Sequence, residues 1–206
     1  MGYVTVLLAS IASCAAVSVW GAENARGDVS KGRAIATQTC AACHGLDGNS
    51  VMPANPSLAG QHAKYTEKQL VNFKSQERKN VIMLGMAATL SAEDVKHLGA
   101  YFEAQKPALN VARDQAAVES GERVYRGGVA ESALPACSGC HGPDGSGIPA
   151  RYPRLAGQQK DYTVAQLKSF RSGERANDES KIMRMIAARL SDEQIGALAE
   201  YIAGLR

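Results

Sequence analysis

The sequence predicts an all-α protein made of two tandem copies of one domain. Three observations carry this. A C-x-x-C-H run occurs twice, as Cys40-Ala41-Ala42-Cys43-His44 and as Cys137-Ser138-Gly139-Cys140-His141, ninety-seven residues apart. Long stretches downstream of each run match at the same spacing. Apolar residues recur at helical intervals in both copies, and no alternating strand pattern is present.

The match is residue by residue. Pro56-Ser57-Leu58-Ala59-Gly60-Gln61 pairs with Pro153-Arg154-Leu155-Ala156-Gly157-Gln158. Tyr65, Gln69-Leu70, Phe73 and Glu77-Arg78 pair with Tyr162, Gln166-Leu167, Phe170 and Glu174-Arg175. Three extra residues then move the offset to one hundred, so that Ile82-Met83 meets Ile182-Met183 and Leu90-Ser91 meets Leu190-Ser191. The second copy also carries about eight extra residues near Gly127 to Leu134, ahead of its first cysteine. The expected domains are 28–113 and 114–206, joined near Lys106-Pro107, where the proline breaks a helical pattern.

Ahead of them, residues 1–22 hold an almost unbroken apolar run from Tyr3 to Ala22. It reads in three ways: a cleaved export signal, a retained helix attaching the chain to the membrane through residues 3–22, or a lipoprotein leader ending at Ile11-Ala12-Ser13-Cys14. All three put the folded part outside the cytoplasmic membrane, in the periplasm of a bacterium. Within each copy a first helix is expected from near Lys31 or Gly121, running toward the C-x-x-C-H. A glycine-rich loop follows, then a helix over Tyr65 to Gln76 or Tyr162 to Ser172. The last helix starts at Ser91 or Ser191, where a serine stands three residues before Asp94 or Gln194 in capping-box spacing.

C-x-x-C-H is the attachment signature of a c-type haem. Each sulfur adds to one vinyl group of the porphyrin, and a helical turn brings the next histidine beneath the iron. A zinc site sharing all four thiolates, or a redox dithiol, would also use paired cysteines. Neither needs a histidine directly after both pairs, nor Gly45 and Gly142 directly after that. Two covalently bound haems c are therefore expected, on Cys40 and Cys43 with His44, and on Cys137 and Cys140 with His141.

The other face of each iron takes a methionine, a histidine or nothing, giving a higher-potential carrier, a lower-potential carrier or an open site. His62 aligns with Gln159 and His97 with Ala197, so both read as ordinary surface residues or as residues beside the haem carboxylates. Of Met52, Met83, Met86, Met183 and Met185, only Met83 and Met183 align. They are the expected axial ligands, against the bland reading of methionine as core filler. Pro56 and Pro153 each lie twelve residues after their histidine. Their carbonyls are candidates for the acceptor that orients a metal-bound imidazole.

Composition limits the alternatives. A chain of 206 residues with net charge +3 has no strong attraction for nucleic acid. Ten Lys or Arg against seven Asp or Glu give the first copy +3, and twelve against twelve leave the second neutral. Only 5% of residues are aromatic, so two domains this small have thin cores that a buried porphyrin would complete.

The two motif sets, Cys40 to Gly45 with Pro56 to Gln61, Met83 and Leu90-Ser91, and Cys137 to Gly142 with Pro153 to Gln158, Met183 and Leu190-Ser191, resemble class I cytochromes c in each half. Over nearly the whole chain they resemble the dihaem cytochrome c4 family. The resemblance implies two c domains related by a pseudo-twofold axis, with His/Met haems facing each other. It further implies an electron carrier rather than an enzyme. The carrier would be reduced by a quinol–cytochrome c reductase or a dehydrogenase and would deliver electrons to a terminal oxidase. Two rival readings are an electron-accepting subunit of a dehydrogenase and a catalytic dihaem enzyme, a peroxidase or a thiosulfate-oxidising enzyme. The catalytic reading needs an open iron, which the aligned methionines argue against.

Overall fold

Asp28 stands at the head of the first described helix. Its carboxylate accepts from the backbone N–H groups of Ser30 and Lys31 at 2.8 and 3.0 Å, capping α1 (Val29–Ile35). The helix continues through a π-helical turn (Ala36–Cys40) into α2 (Ala41–His44). The computed structural model describes residues 1–2, 27–108, 110–149 and 151–206. The apolar N-terminal run and Cys14 lie outside the described residues.

The second copy differs here from the sequence expectation. Its first helix, α6 (Gln115–Gly127, capped by Asp114), does not run to the motif. It stops at Gly128, and the extra residues fold into a small loop closed by a bridge between Val129 and Leu134. The loop contributes Leu134, 3% exposed, to the core. A fresh turn, α7 (Ser138–His141), then carries the second motif. In both copies the turn ends at a glycine in the left-handed region, Gly45 at φ +81° and Gly142 at φ +82°. This is why glycine follows each histidine: a side chain there would be strained.

The remaining helices match in pairs. They are α3 (Ala63–Lys74) and α8 (Lys160–Ser172), α4 (Val81–Ala88) and α9 (Ile182–Ala187), and α5 (Ala92–Glu103) and α10 (Asp192–Gly204). The sequence pattern did not reveal α4 and α9 as helices; both are short, and α4 has no polar side chain. Both capping boxes form, and Asp94 serves as well as Gln194: its carboxylate accepts from Ser91 N–H at 2.9 Å. Among the described residues the only β pairing is two isolated bridges, and no helix is long and apolar enough to cross a membrane.

In each copy the last helix packs on the first and on the middle one, and the methionine-bearing helix packs on the middle one. Leu98, Tyr101 and Phe102 fill the first core; Ile195, Leu198, Tyr201 and Ile202 fill the second, with Tyr125 and Leu205 added. The crossing of first and last helices is close. A Cβ on Gly32 would lie 2.1 Å from the carbonyl oxygen of His97, and one on Gly121 would lie 2.1 Å from that of Ala197. Gly32→Ala and Gly121→Ala should each lower unfolding free energy by about 1–3 kcal/mol through overpacking. Gly196→Ala, in open space on α10, should leave stability unchanged or raise it by about 0.5–1 kcal/mol. Thermal unfolding of the three variants checks this, and equal losses in all three would contradict it.

Candidate functional site

Each C-x-x-C-H places its first cysteine inward. Cys40 and Cys137 pack against the two cores, while Cys43 is exposed and Cys140 half-buried. None of the four forms a disulfide, which leaves their sulfurs available for covalent attachment. Burial pushes the thiols of Cys40 and Cys137 up to about 11, so both stay protonated at neutral pH. Among the described residues no three His, Cys, Asp or Glu side chains converge as a bare-ion site.

His44 and His141 are buried, each 6% exposed. The Nδ1 of His44 lies 2.8 Å from the Pro56 carbonyl oxygen, and the Nδ1 of His141 lies 3.0 Å from that of Pro153. A carbonyl can only accept, so Nδ1 carries the proton. Nε2 is left with its lone pair, the tautomer that binds a metal. Burial holds both imidazoles below their ordinary range, opposed in part by the proline bond. Buried neutral imidazole with a free Nε2, beside two unpaired thiols, is the donor set that haem c requires.

The loop carrying each proline is closed by the same pair of backbone bonds in the two copies. Gly48 O accepts from Leu58 N and Ala59 N, and Gly145 O accepts from Leu155 N and Ala156 N. The tie from the core to the residue or two after the motif is not identical. In the first domain Tyr101 on α5 donates to Leu46 O at 2.7 Å. In the second, Tyr125 on α6 donates to Gly142 O at 2.7 Å, while the hydroxyl of the aligned Tyr201 is buried without a partner. No sequence signal marks this exchange, because the aligned tyrosines look equivalent.

Met83 and Met183 are half-buried on α4 and α9, whereas Met86 and Met185 are 42% and 54% exposed. Different residues fix the two helices. Asn80 accepts from Met83 N–H at 2.9 Å. In the second copy Asp178 accepts from the backbone N–H of Arg184 at 3.0 Å and from its Nε at 2.7 Å. Met52 is 47% exposed and receives an Asn55 amide at 3.3 Å. His97 accepts from Asp28 N–H through Nδ1 at 2.8 Å, anchoring α1 to α5. His62 stands at the head of α3, its Nε2 buried and unbonded.

Sequence reasoning expected the domains to face each other but missed the residues that join them. Arg78 and Arg175 are 8% and 7% exposed, and each lies over its own domain's phenylalanine, 4.6 Å from Phe73 and 4.4 Å from Phe170. Arg78 donates to Gln69 at 2.8 Å and crosses to Tyr162 at 2.9 Å and Gln166 at 2.8 Å. Arg175 donates to Gln166 at 2.8 Å and crosses to Tyr65 at 3.0 Å and Gln69 at 3.1 Å. A second reciprocal pair lies nearby. The Gln158 side chain brackets Ser57, accepting from its N–H at 2.8 Å and donating to its C=O at 3.0 Å. Gln61 does the same to Arg154, both at 3.0 Å. The sequence signal for all of this was present: these polar residues repeat as faithfully as the core.

Together the repeated motif, the histidine tautomer and the helical shell define a pair of fused c-type haem domains. The cytochrome c family model matches residues 29–106 and again 118–206. Cytochrome c4 of Azotobacter vinelandii is 44% identical over 92% of this chain and 94% of its own. The crystal structure of reduced recombinant cytochrome c4 from Pseudomonas stutzeri superposes with a TM-score of 0.84 at 43% identity, covering 87% of this chain and all of that one. A thiosulfate dehydrogenase electron acceptor of Stutzerimonas stutzeri is 42% identical over 82% of this chain and 80% of its own. The chain belongs to the cytochrome c4 family: a dihaem electron-transfer protein with two covalently bound haems c and no catalytic role of its own.

Removing Arg78 leaves the Tyr162 hydroxyl without its donor, while Gln69 and Gln166 keep their bonds to Arg175. Arg78→Ala should cost about 1–3 kcal/mol for the group left unbonded and should split a single calorimetric transition into two domain transitions. A single unshifted transition would show that the arginines do not hold the domains together.

Proposed function

We propose that the first haem is carried by Cys40 and Cys43 with His44 and Met83 on its iron, and the second by Cys137 and Cys140 with His141 and Met183. The two units divide near residues 113 and 114. The observation that carries this is the matched pairing of half-buried Met83 and Met183 with two proline-tied histidines. Bound haem supplies a one-electron couple, Fe(III)/Fe(II). The chain's residues supply the rest. Pro56 and Pro153 orient the imidazoles, and the thioether sulfurs of Met83 and Met183 occupy the position where an oxygen or peroxide substrate would otherwise bind. Closing both irons makes the chain a carrier.

The route is periplasmic, with residues 1–22 acting as the export signal or, if retained, as an attachment to the membrane through residues 3–22. The acceptor is a terminal oxidase, and the donor is a quinol–cytochrome c reductase or a dehydrogenase. Kinship with thiosulfate dehydrogenase electron acceptors favours a dehydrogenase among the donors. Two haems in one chain let an electron enter at one domain and leave at the other.

Two experiments test this reading. Met183→Ala should open one of the two irons, so that carbon monoxide binds half the haem, while Met185→Ala binds none; an unaltered spectrum in Met183→Ala would remove Met183 from the ligand set. Reduced protein mixed with membranes of its own source should be reoxidised in a cyanide-sensitive reaction. Persistence of the reduced form would exclude a terminal oxidase as acceptor.

A further inference from the structure

The two glutamines that bracket the opposite domain do more than dock it. The Pro56–Ser57 peptide is bonded at both ends. Its carbonyl takes the His44 ring N–H at 2.8 Å, and its N–H donates to Gln158 of the other domain at 2.8 Å. The Pro153–Arg154 peptide repeats the arrangement, with His141 on its carbonyl at 3.0 Å and Gln61 of the first domain on its N–H at 3.0 Å. Each glutamine is fixed by a further bond, from its Nε2 to the next carbonyl, at 3.0 Å in both copies. Gln61 is 7% exposed and Gln158 is half-buried, so both bonds are shielded from bulk solvent, where a hydrogen bond is electrostatically weaker.

A peptide whose N–H is donated becomes a better acceptor at its oxygen, because hydrogen bonds in series polarise one another. A stronger acceptor on Nδ1–H raises the basicity of the imidazole at Nε2. A more basic axial ligand favours Fe(III) over Fe(II) and lowers the potential. We propose that Gln158 and Gln61 are positioning residues that set, across the domain interface, the donor strength of the axial histidine in the opposite domain. Gln158 acts on His44 and Gln61 on His141. The inference rests on the reading of these histidines as axial ligands. It gives the interface a redox role: each haem's potential depends on the presence and placement of the other domain.

The test is a redox titration of the loaded full-length protein, followed by NMR so that haem methyl signals of the two domains are read separately. Gln158→Leu should raise the midpoint of the first-domain haem, weaken the hydrogen-bond signature of the His44 ring N–H and leave the second haem where it was. Gln61→Leu should do the reverse. Asn177→Ala, which removes interface bonds to Gln69 and Asn72 remote from both prolines, should move neither haem selectively. If Gln158→Leu loosens the domains, Gln158→Glu keeps an acceptor on Ser57 N–H and should lower the same midpoint. A shift in the glutamine's own domain, an equal shift of both haems or no shift in any variant overturns the proposal. The axial reading is judged independently in the unaltered protein. Ring N–H signals of His44 and His141 without paramagnetic shift on oxidation would sink that reading, whereas shifted signals without the crossed response would sink only the glutamine relay.

Discussion

The bond from a buried histidine Nδ1–H to a proline carbonyl twelve residues later is the constraint around which each domain is arranged. It fixes the tautomer, and with it which nitrogen is available to iron. Making it requires a helical turn that stops at the histidine, which Gly45 and Gly142 provide by leaving the helix with positive φ. It also requires a loop that returns the proline to the ring, and matching backbone bonds to Gly48 O and Gly145 O close that loop in both copies. The close crossing at Gly32 and Gly121 then brings the last helix against the first, so that a core thin in aromatics still closes.

Duplication has kept this constraint and relaxed what surrounds it. Helix α6 ends ten residues before its motif, and the inserted loop returns Leu134 to the core. The hydroxyl that ties the core to the motif's exit comes from Tyr101 in one copy and Tyr125 in the other. The start of the methionine helix is held by Asn80 in one and by Asp178 with Arg184 in the other. At the interface the two copies become interdependent. Two guanidiniums and two glutamines are exchanged about a pseudo-twofold relation, and their acceptors are uncharged amides, hydroxyls and backbone groups. Buried donors of this kind stabilise only while every partner is in place, which makes the pair of domains one unit rather than two beads on a linker.

Much of this was legible in the sequence because it repeats. The all-α class, the two copies, the serine-capped last helices and the proline position all follow from aligning the chain with itself. Alignment also separated Met83 and Met183, which are half-buried, from their exposed neighbours Met86 and Met185. What stayed hidden was of three kinds. Helices α4 and α9 are too short for periodicity to register, and α4 is apolar throughout. The interrupted helix α6 was misjudged because an insertion of known length does not reveal whether a helix spans it. The reciprocal Arg78–Arg175 and Gln61–Gln158 bonds depend on how two domains sit together, and repetition alone cannot say whether a repeated polar residue faces solvent or its own mirror image.

The central claim is two closed haems, each held between a proline-tied histidine and a methionine. The most direct measurement is a haem count on the purified protein set against the intensity of the weak far-red band that methionine–Fe(III) bonding gives in the oxidised optical spectrum. Two haems per chain with the band at the strength of two such bonds is the predicted result. Two haems with the band halved or absent would mean that an iron is open or otherwise ligated, and the account of this chain as a pair of closed carriers would be wrong.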